Sequence, residues 1–132
     1  MARPSTLASP ATDLVLNALR THQQPLTAYA LLALLKPHGI NSAPIIYRAL
    51  EQLAAQASVH RLQMLNAYVA CDCHADHTHG LSILTVCTGC SHVHELHDHA
   101  VIHHLEGLRT HGVALAHHAV IELPVQCTSC AA

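Results

Sequence analysis

Two cysteine pairs of the form C-x2-C carry the strongest chemical pattern in this sequence. Cys87 and Cys90 form the first pair, Cys127 and Cys130 form the second, and 36 residues separate the two pairs. Each pair can direct two thiolates at one metal ion, and four thiolates in a tetrahedron suit Zn²⁺. Because the separation is too long for a short zinc ribbon, a whole lobe must fold between the pairs. The pattern predicts a structural zinc site whose binding free energy stabilises that lobe.

Two other uses of these cysteines must be weighed against zinc. Disulfides need an oxidising compartment, and redox-active C-x-x-C sites need the surrounding pattern of a thioredoxin-like unit, which the sequence lacks. The N-terminus shows no basic segment followed by an apolar stretch, and no apolar run approaches the roughly 20 residues of a membrane span. We therefore expect zinc sites in a cytoplasmic protein without a membrane association.

Histidines supply many more potential ligands than one ion can use. The chain contains 15 His and 6 Cys, against 6 Lys and Arg and 8 Asp and Glu. A second site could combine one thiolate, two imidazoles and a carboxylate, drawn from His60, Cys71, His74, His77, His79, His92, His94, Glu95, His97 and His99. Such a mixed site binds a cation more weakly than four thiolates do, so it would suit a sensor. For any single histidine, a solvated surface position is the competing interpretation.

The charges that surround these ligands divide unevenly along the chain. Residues 1–61 hold five basic and two acidic side chains, a net charge of +3, whereas residues 62–132 hold one basic and six acidic side chains, a net charge of −5. All six cysteines and all but three histidines lie in the acidic part. The first part therefore favours polyanions and the second favours cations.

The basic part is predicted to begin with two short helices. Apolar residues recur at helical spacing over residues 13–20, with Thr12 as a plausible cap. They recur again over residues 28–35, where Thr27 can cap the helix and residues 37–39 end it.

A third helix is predicted to follow, with Asn41 or Ser42 as its cap and Pro44 near its first turn. Its apolar side is formed by Ile46, Ala49, Leu50 and Leu53. Its other side presents Tyr47 and Arg48, and an arginine can bind guanine O6 and N7 or a phosphate. Three short helices of this kind are typical of a helix-turn-helix that enters the major groove. A three-helix bundle without DNA contacts is the alternative.

Two strands should complete the N-terminal half. Residues 59–62 and 67–70 flank a short loop that contains Asn66, and they predict a hairpin like the wing of a winged helix.

The acidic half is predicted to be a small α/β lobe. Strands are expected over residues 81–86 and 92–96, a helix over 100–110, and a third strand over 113–123. The helix is expected to turn three apolar side chains inward: Val101, Leu105 and Leu108. A sheet with one helix against it could pair with its twin across a two-fold axis.

The order of these motifs resembles that of the ferric uptake regulator family. The resemblance rests on the segments 43–53, 59–62, 66–71, 87–90, 93–95 and 127–130, and it spans about residues 12–130. The run His60-Arg61 followed by Asn66-Ala-Tyr-Val-Ala-Cys71 is similar to the family's zinc uptake regulator branch.

The resemblance implies an α+β chain that forms a dimeric winged-helix repressor. Residues 1–70 would form the winged helix-turn-helix DNA-binding domain, and residues 71–132 a small α/β metal-binding dimerisation domain. Structural zinc would be held by Cys87, Cys90, Cys127 and Cys130, and regulatory zinc by His60, Cys71, His79 and Glu95. Each subunit would thus bind at least two Zn²⁺.

Further residues are matched less specifically. Tyr29 and Arg48 match DNA-contacting positions of the family, and Tyr47 beside Arg48 is a further candidate. The additional candidates His77, His103 and His118 resemble material for a third metal site. Because the segment between Cys71 and Cys87 holds His74, His77, His79 and Cys73, the loop ligand of the regulatory site stays open between the three histidines.

The function implied is that of a zinc-responsive transcriptional repressor, a homodimer that binds double-stranded operator DNA when zinc-loaded and controls zinc uptake genes. A family member that senses iron, manganese or nickel is an alternative, because the order of divalent affinities leaves the metal unsettled. A cytosolic zinc buffer without DNA binding is another. A hydrolytic zinc enzyme would need an open coordination position and a base, with Glu95 or Glu122 as candidates. Four thiolates leave no such position, so we expect neither catalysis nor a small-molecule substrate.

Overall fold

The structure, a computed structural model, describes residues 10–71, 81–116 and 118–131. Backbone packing divides the chain into two compact units, Met1–Cys71 and Asp72–Ala132. The longest helices of the described residues have 13 residues, and none of the helices there could cross a membrane.

Three helices pack around one apolar core in the N-terminal unit. They are α1 (Pro10–His22), α2 (Ala28–Leu35) and α3 (Ala43–Ala55). The apolar side predicted for the third helix is confirmed, because its four members are all buried: Ile46, Ala49, Leu50 and Leu53. This packing fixes which side of α3 remains exposed.

The ends of these helices follow local chemistry. The predicted cap of α2 is confirmed, since the Thr27 Oγ1 accepts a hydrogen bond from the Ala30 N–H at 3.0 Å. The expectation that Thr12 caps α1 is wrong, because the helix begins at Pro10 and Thr12 is buried within it. Proline suits a first helical turn, where its missing N–H leaves no hydrogen bond unmade. After α2, a 3₁₀ turn ends at Gly39, whose φ of 94° reverses the chain.

The predicted hairpin is also confirmed. Strands β1 (Val59–Leu62) and β2 (Ala67–Ala70) pair antiparallel, with Leu62 opposite Ala67 across a four-residue turn. Tyr68 and Leu26 exchange two backbone hydrogen bonds of 2.8 and 3.0 Å. These bonds tie the hairpin to the segment between α1 and α2.

A three-stranded sheet forms the centre of the C-terminal unit. Its strands are β3 (Leu81–Cys87), β4 (Val93–Leu96) and β5 (Ala119–Val125), in the spatial order β4-β3-β5. The strand β4 pairs antiparallel with β3, whereas β5 pairs parallel with it. The predicted β-β-α-β order is confirmed, although the last strand begins at residue 119 rather than 113.

The helix α4 (His99–Glu106) follows β4 and precedes β5 in the sequence. It packs on the sheet through Ile102. The Asp98 carboxylate caps it, accepting from the N–H groups of Ala100 and Val101 at 2.9 and 3.1 Å. The cap sets the rotation of the helix so that Ile102 is buried, whereas Val101 is 37% exposed. The expectation that Val101 faces inward is therefore wrong. A short helix, α5 (Thr128–Ala131), follows β5.

Candidate metal centres

The four paired cysteines converge at one end of the sheet in the C-terminal unit. Cys87 ends β3 and Cys127 lies two residues after β5, and the parallel pairing of these strands brings both pairs to the same edge. A backbone hydrogen bond from the Thr88 N–H to the Val125 carbonyl, 2.8 Å long, joins the two chain segments there. The four Sγ atoms lie within 4.8 Å of one another, and all four cysteines are free thiols.

The sulfur spacing fits tetrahedral zinc. The Sγ atoms of Cys90 and Cys127 are 3.8 Å apart. A tetrahedron with Zn–S bonds of ~2.3 Å has sulfur–sulfur edges of about 3.8 Å. This agreement of donor type, number and spacing supports a closed four-thiolate site, and the free thiols count against the disulfide alternative for these two pairs.

Backbone donors support the Cys87 sulfur. The N–H groups of Gly89 and Cys127 donate to the Cys87 Sγ at 3.3 and 3.4 Å. The backbone N–H of Cys127, followed by those of Cys90 and Gly89, lowers the pKa of the Cys87 thiol from 9.0 to about 6. These donors stabilise a thiolate, which is the form that binds a metal.

The other sulfurs compete for protons in the same cluster. The Cys130 S–H donates to the sulfur of Cys127, then to those of Cys87 and Cys90, and this raises the pKa of the Cys130 thiol to about 12. Neighbouring sulfurs share protons because several negative charges so close together repel one another. A divalent cation would offset this repulsion, so metal binding must release protons from the cluster.

Gly89 allows the two pairs to approach closely. A Cβ atom built on Gly89 would lie 2.9 Å from the Cys130 Sγ and 3.1 Å from the Cys130 Cβ. Sequence reasoning did not single out this glycine, although its place inside the pair Cys87-Thr-Gly-Cys90 was a usable signal.

A second pair of potential ligands lies in the N-terminal unit. His60 is a buried residue of β1, and Cys71 directly follows β2, where its N–H donates to the Ser58 carbonyl at 2.8 Å. Ligand atoms of His60 and Cys71 lie within 4.8 Å of each other. Cys71 takes part in a disulfide bond, so its sulfur is available to a metal only after reduction.

The other predicted metal ligands belong to the C-terminal unit or lie outside the described residues. Glu95 is a buried residue of β4 in the C-terminal unit, opposite Leu84 in the pairing with β3. His79, like His74 and His77, lies outside the described residues. His103 on α4 is exposed, and His118 directly precedes β5. Neither His103 nor His118 belongs to a cluster of three or more ligand side chains among the described residues.

The predicted DNA-contacting residues are exposed on two helices of the N-terminal unit. Tyr29 is 71% exposed at the start of α2, and Tyr47 is 42% exposed on α3. Arg48, next to Tyr47, is exposed as well. Because Ile46 and Ala49 point into the core, Tyr47 and Arg48 point away from it, as a helix that reads a groove requires.

Comparison with known proteins gives a consistent result. The model of the ferric uptake regulator family matches residues 11–122. The zinc uptake regulation protein of Escherichia coli (strain K12) is 33% identical over 118 residues, which cover 88% of this chain and 68% of that protein.

Solved structures agree with the sequence match. A zinc uptake regulator complexed with zinc and DNA superposes with a TM-score of 0.81 at 30% identity, covering 95% of this chain and 83% of the other. The crystal structure of holo XcZur gives a TM-score of 0.78 at 29% identity, covering 93% of this chain and 85% of the other. This chain is thus similar, over most of its length, to structures of zinc uptake regulators.

Proposed function

This chain belongs to the ferric uptake regulator family, and we propose that it is a zinc-responsive transcriptional repressor. It acts in the cytoplasm as a homodimer, binds operator DNA when zinc-loaded, and controls genes of zinc uptake. The observation that carries the proposal is the approach of His60 and Cys71 to within 4.8 Å at the open end of the hairpin. This hairpin follows the helix that bears Tyr47 and Arg48.

The regulatory ion is held by His60, Cys71, Glu95 and one histidine of the segment between Cys71 and Cys87, for which His79 is our choice. Two ligands from the hairpin are too few for Zn²⁺, which takes four in a closed site. The buried carboxylate of Glu95 is a suitable third ligand, because a buried carboxylate is stabilised by a cation. The imidazole–thiolate combination favours zinc over iron or manganese.

The structural ion is held by Cys87, Cys90, Cys127 and Cys130. All four come from one unit, so this site depends on the fold of that unit alone. Together the two sites give at least two Zn²⁺ per subunit. A third ion would be held by His77, His103 and His118, and metal stoichiometry tests this directly.

Repression follows from the origin of the ligands of the regulatory ion, which come from both units. The regulatory zinc joins donors of the N-terminal unit to Glu95 of the C-terminal unit when it binds. Tyr29, Tyr47 and Arg48 then contact the operator from a winged helix whose position is fixed relative to the dimerisation lobe. A ligand shifts an equilibrium only by its differential affinity for the two states, and a site with ligands in both units has that differential. Zinc and operator must consequently strengthen each other's binding by the same factor, typically about 5–150-fold.

The test is a titration of free zinc during operator binding by the reduced full chain. Fluorescence anisotropy measures affinity for a duplex selected from a random pool by the wild-type protein, with the four-cysteine site filled throughout. We expect His60→Gln to lose the zinc dependence while its structural zinc and its dimer persist. His38→Ala, which removes an exposed histidine of the same unit, should behave as wild type. Equal affinity of the wild type with chelator and with saturating zinc would reject the proposal.

The structural site has its own test. Cys127→Ser should unfold the C-terminal unit or abolish the dimer, measured by circular dichroism and sedimentation. An intact dimer with full zinc content would contradict this assignment.

A further inference from the structure

Arg61 occupies a position in the hairpin that neither metal site explains. It is the exposed residue of β1, whereas the other three residues of that strand are buried. Successive side chains of a strand point to opposite faces of the sheet. The Arg61 guanidinium therefore leaves the hairpin on the face opposite the His60 imidazole.

A hydrogen bond restrains the Arg61 side chain at the tip of the hairpin. Its Nη2 donates to the Asn66 Oδ1 at 3.3 Å. Asn66 is the last residue of the turn and has a φ of 47°, a conformation that asparagine tolerates better than most residues. Because Arg61 pairs with Tyr68, Asn66 occupies the diagonal position two residues away, within reach of a long side chain. The turn thus positions the amide that holds the guanidinium.

The restrained guanidinium keeps most of its binding capacity. Arginine has five N–H donors, and the bond to Asn66 uses one of them. Within the part of the chain that the structure describes, Arg61 forms no ion pair. The hairpin sequence from 59 to 70 contains no acidic residue. A fixed cation without an acidic neighbour, in a unit with a net positive charge, is suited to a polyanion.

The position of the hairpin along the chain indicates which part of the DNA Arg61 would contact. Strand β1 begins four residues after α3 ends, so the hairpin lies beside the helix that presents Tyr47 and Arg48. With α3 in the major groove, the neighbouring groove along the duplex is the minor groove. A narrow minor groove has an enhanced negative potential that attracts arginine.

We propose that Arg61 enters the minor groove beside the site of α3, and that Asn66 is the positioning residue for this contact. The inference rests on the proposed function and extends it to a second groove. It also gives the two faces of the hairpin different roles, because the adjacent residues His60 and Arg61 point to opposite faces. The face of His60 binds the metal, and the face of Arg61 binds DNA. Holding the His60 imidazole fixes the backbone from which Arg61 projects, so the contact is expected to depend on zinc.

The experiment separates the minor groove from the major groove. Two versions of the selected duplex are compared, one with G·C pairs flanking the half-sites and one with inosine·C pairs there. Inosine lacks the 2-amino group of guanine in the minor groove, and its major-groove edge is unchanged. We expect the zinc-loaded wild type to prefer the inosine duplex by about tenfold, the scale of one good base contact. Arg61→Ala should bind both duplexes equally and lose about tenfold on the inosine duplex.

Three further variants accompany this comparison. Lys36→Ala removes one exposed positive charge from the same unit, and it should keep the preference for inosine. Asn66→Gly keeps the backbone conformation of the turn and removes only the amide, so it should bind the inosine duplex more weakly than wild type while keeping part of the preference. Arg61→Gln, which preserves more of the stem, replaces Arg61→Ala if the alanine variant loses zinc or folding.

The outcomes separate this inference from the function on which it rests. If Arg61→Ala loses affinity equally on both duplexes and the wild type shows no preference, Arg61 contacts phosphate and the groove assignment is wrong. Unchanged affinity and preference in Arg61→Ala would remove Arg61 from the interface. A wild type that binds no duplex in response to zinc would reject the proposed function, and this inference with it.

Discussion

Replacing Gly89 with alanine tests whether the four-cysteine cluster is a zinc site with a fixed geometry. The added Cβ would lie 2.9 Å from the Cys130 Sγ, and the nearest ordinary contact distance is 3.4 Å, so the sulfur must move by at least 0.5 Å. Metal–ligand distances tolerate only ~0.2 Å. In the zinc-free chain the exposed Cys130 can move away cheaply, whereas in the loaded chain the ion holds it. The substitution therefore opposes zinc binding specifically.

The expected result is a loss of zinc affinity of about 10–100-fold, the range seen when residues around a metal site are altered. Competition with a chromogenic chelator measures it, and the melting temperature of the zinc-free form should change little. Gly107→Ala is the matched control, because no atom lies within 4 Å of its added Cβ. If Gly89→Ala and Gly107→Ala held zinc equally tightly, Cys130 would not be a ligand with the position described.

Three further predictions concern the thiolate, the groove-reading helix and the core. The pKa of the Cys87 thiol in the folded zinc-free chain is about 6 instead of 9.0, so its stabilising contribution is full above pH 9.0 and is lost as the pH falls through 6. The melting temperature of the zinc-free wild type should therefore depend more strongly on pH between 6 and 9.0 than that of Cys87→Ser. Parallel curves of melting temperature against pH for the two proteins would contradict this. Arg48→Ala should cost about 1–3 kcal/mol of operator affinity and relax base preference, measured by anisotropy against Arg48→Lys; an unchanged base preference would remove Arg48 from the bases. Ile46→Ala, at a fully buried position, should lower the unfolding free energy of the N-terminal unit by about 2–5 kcal/mol, and Ile46→Val should lower it less. Denaturant titration measures both losses, and the zinc content should stay unchanged. Equal losses in the two variants would contradict the packing of Ile46 in the core.

Much of the N-terminal unit was predictable because its signals are local. The spacing of Ile46, Ala49, Leu50 and Leu53 defines one side of a helix, and all four are buried. Thr27 and Gly39 mark helix boundaries through a hydroxyl acceptor and a positive φ. The Thr12 error has a different origin, because an acceptable cap residue was outweighed by Pro10 as a helix start.

The C-terminal unit was harder to predict because its apolar residues are continuous rather than periodic. Val101 and Ile102 are adjacent, and apolar periodicity alone does not decide which faces the sheet. The Asp98 cap decides it by fixing where α4 begins. The parallel pairing of β3 with β5, which brings the two cysteine pairs together, depends on contacts between residues far apart in sequence.

The metal sites show the same difference between local and long-range information. Ligand types and the C-x2-C spacing identified the four-cysteine cluster, whereas the close approach of Gly89 to Cys130 depends on how the two pairs meet in the folded chain. For the proposed regulatory site, the hairpin register explains why His60 and Cys71 approach each other, since Val59 pairs with Ala70. The residues adjoining that pair, His60 and Cys71, thus lie near one end of the same hairpin. The sequence alone did not choose among His74, His77 and His79, because three imidazoles in one short segment have the same chemistry.

The two ligand sets are suited to different roles because of where their donors come from. Four thiolates of one unit would form a closed site, so releasing that ion would mean unfolding the unit, and its occupancy would not follow small changes in free zinc. In the proposed regulatory site, His60 and Cys71 would supply only part of the coordination sphere, and their hairpin is paired through backbone hydrogen bonds without a metal. The energy of completing this sphere is then available to shift a conformational equilibrium rather than to build a fold. We therefore expect the reversible zinc response to come from the proposed regulatory site, and mutations of His60 or Cys71 should change regulation before they change stability.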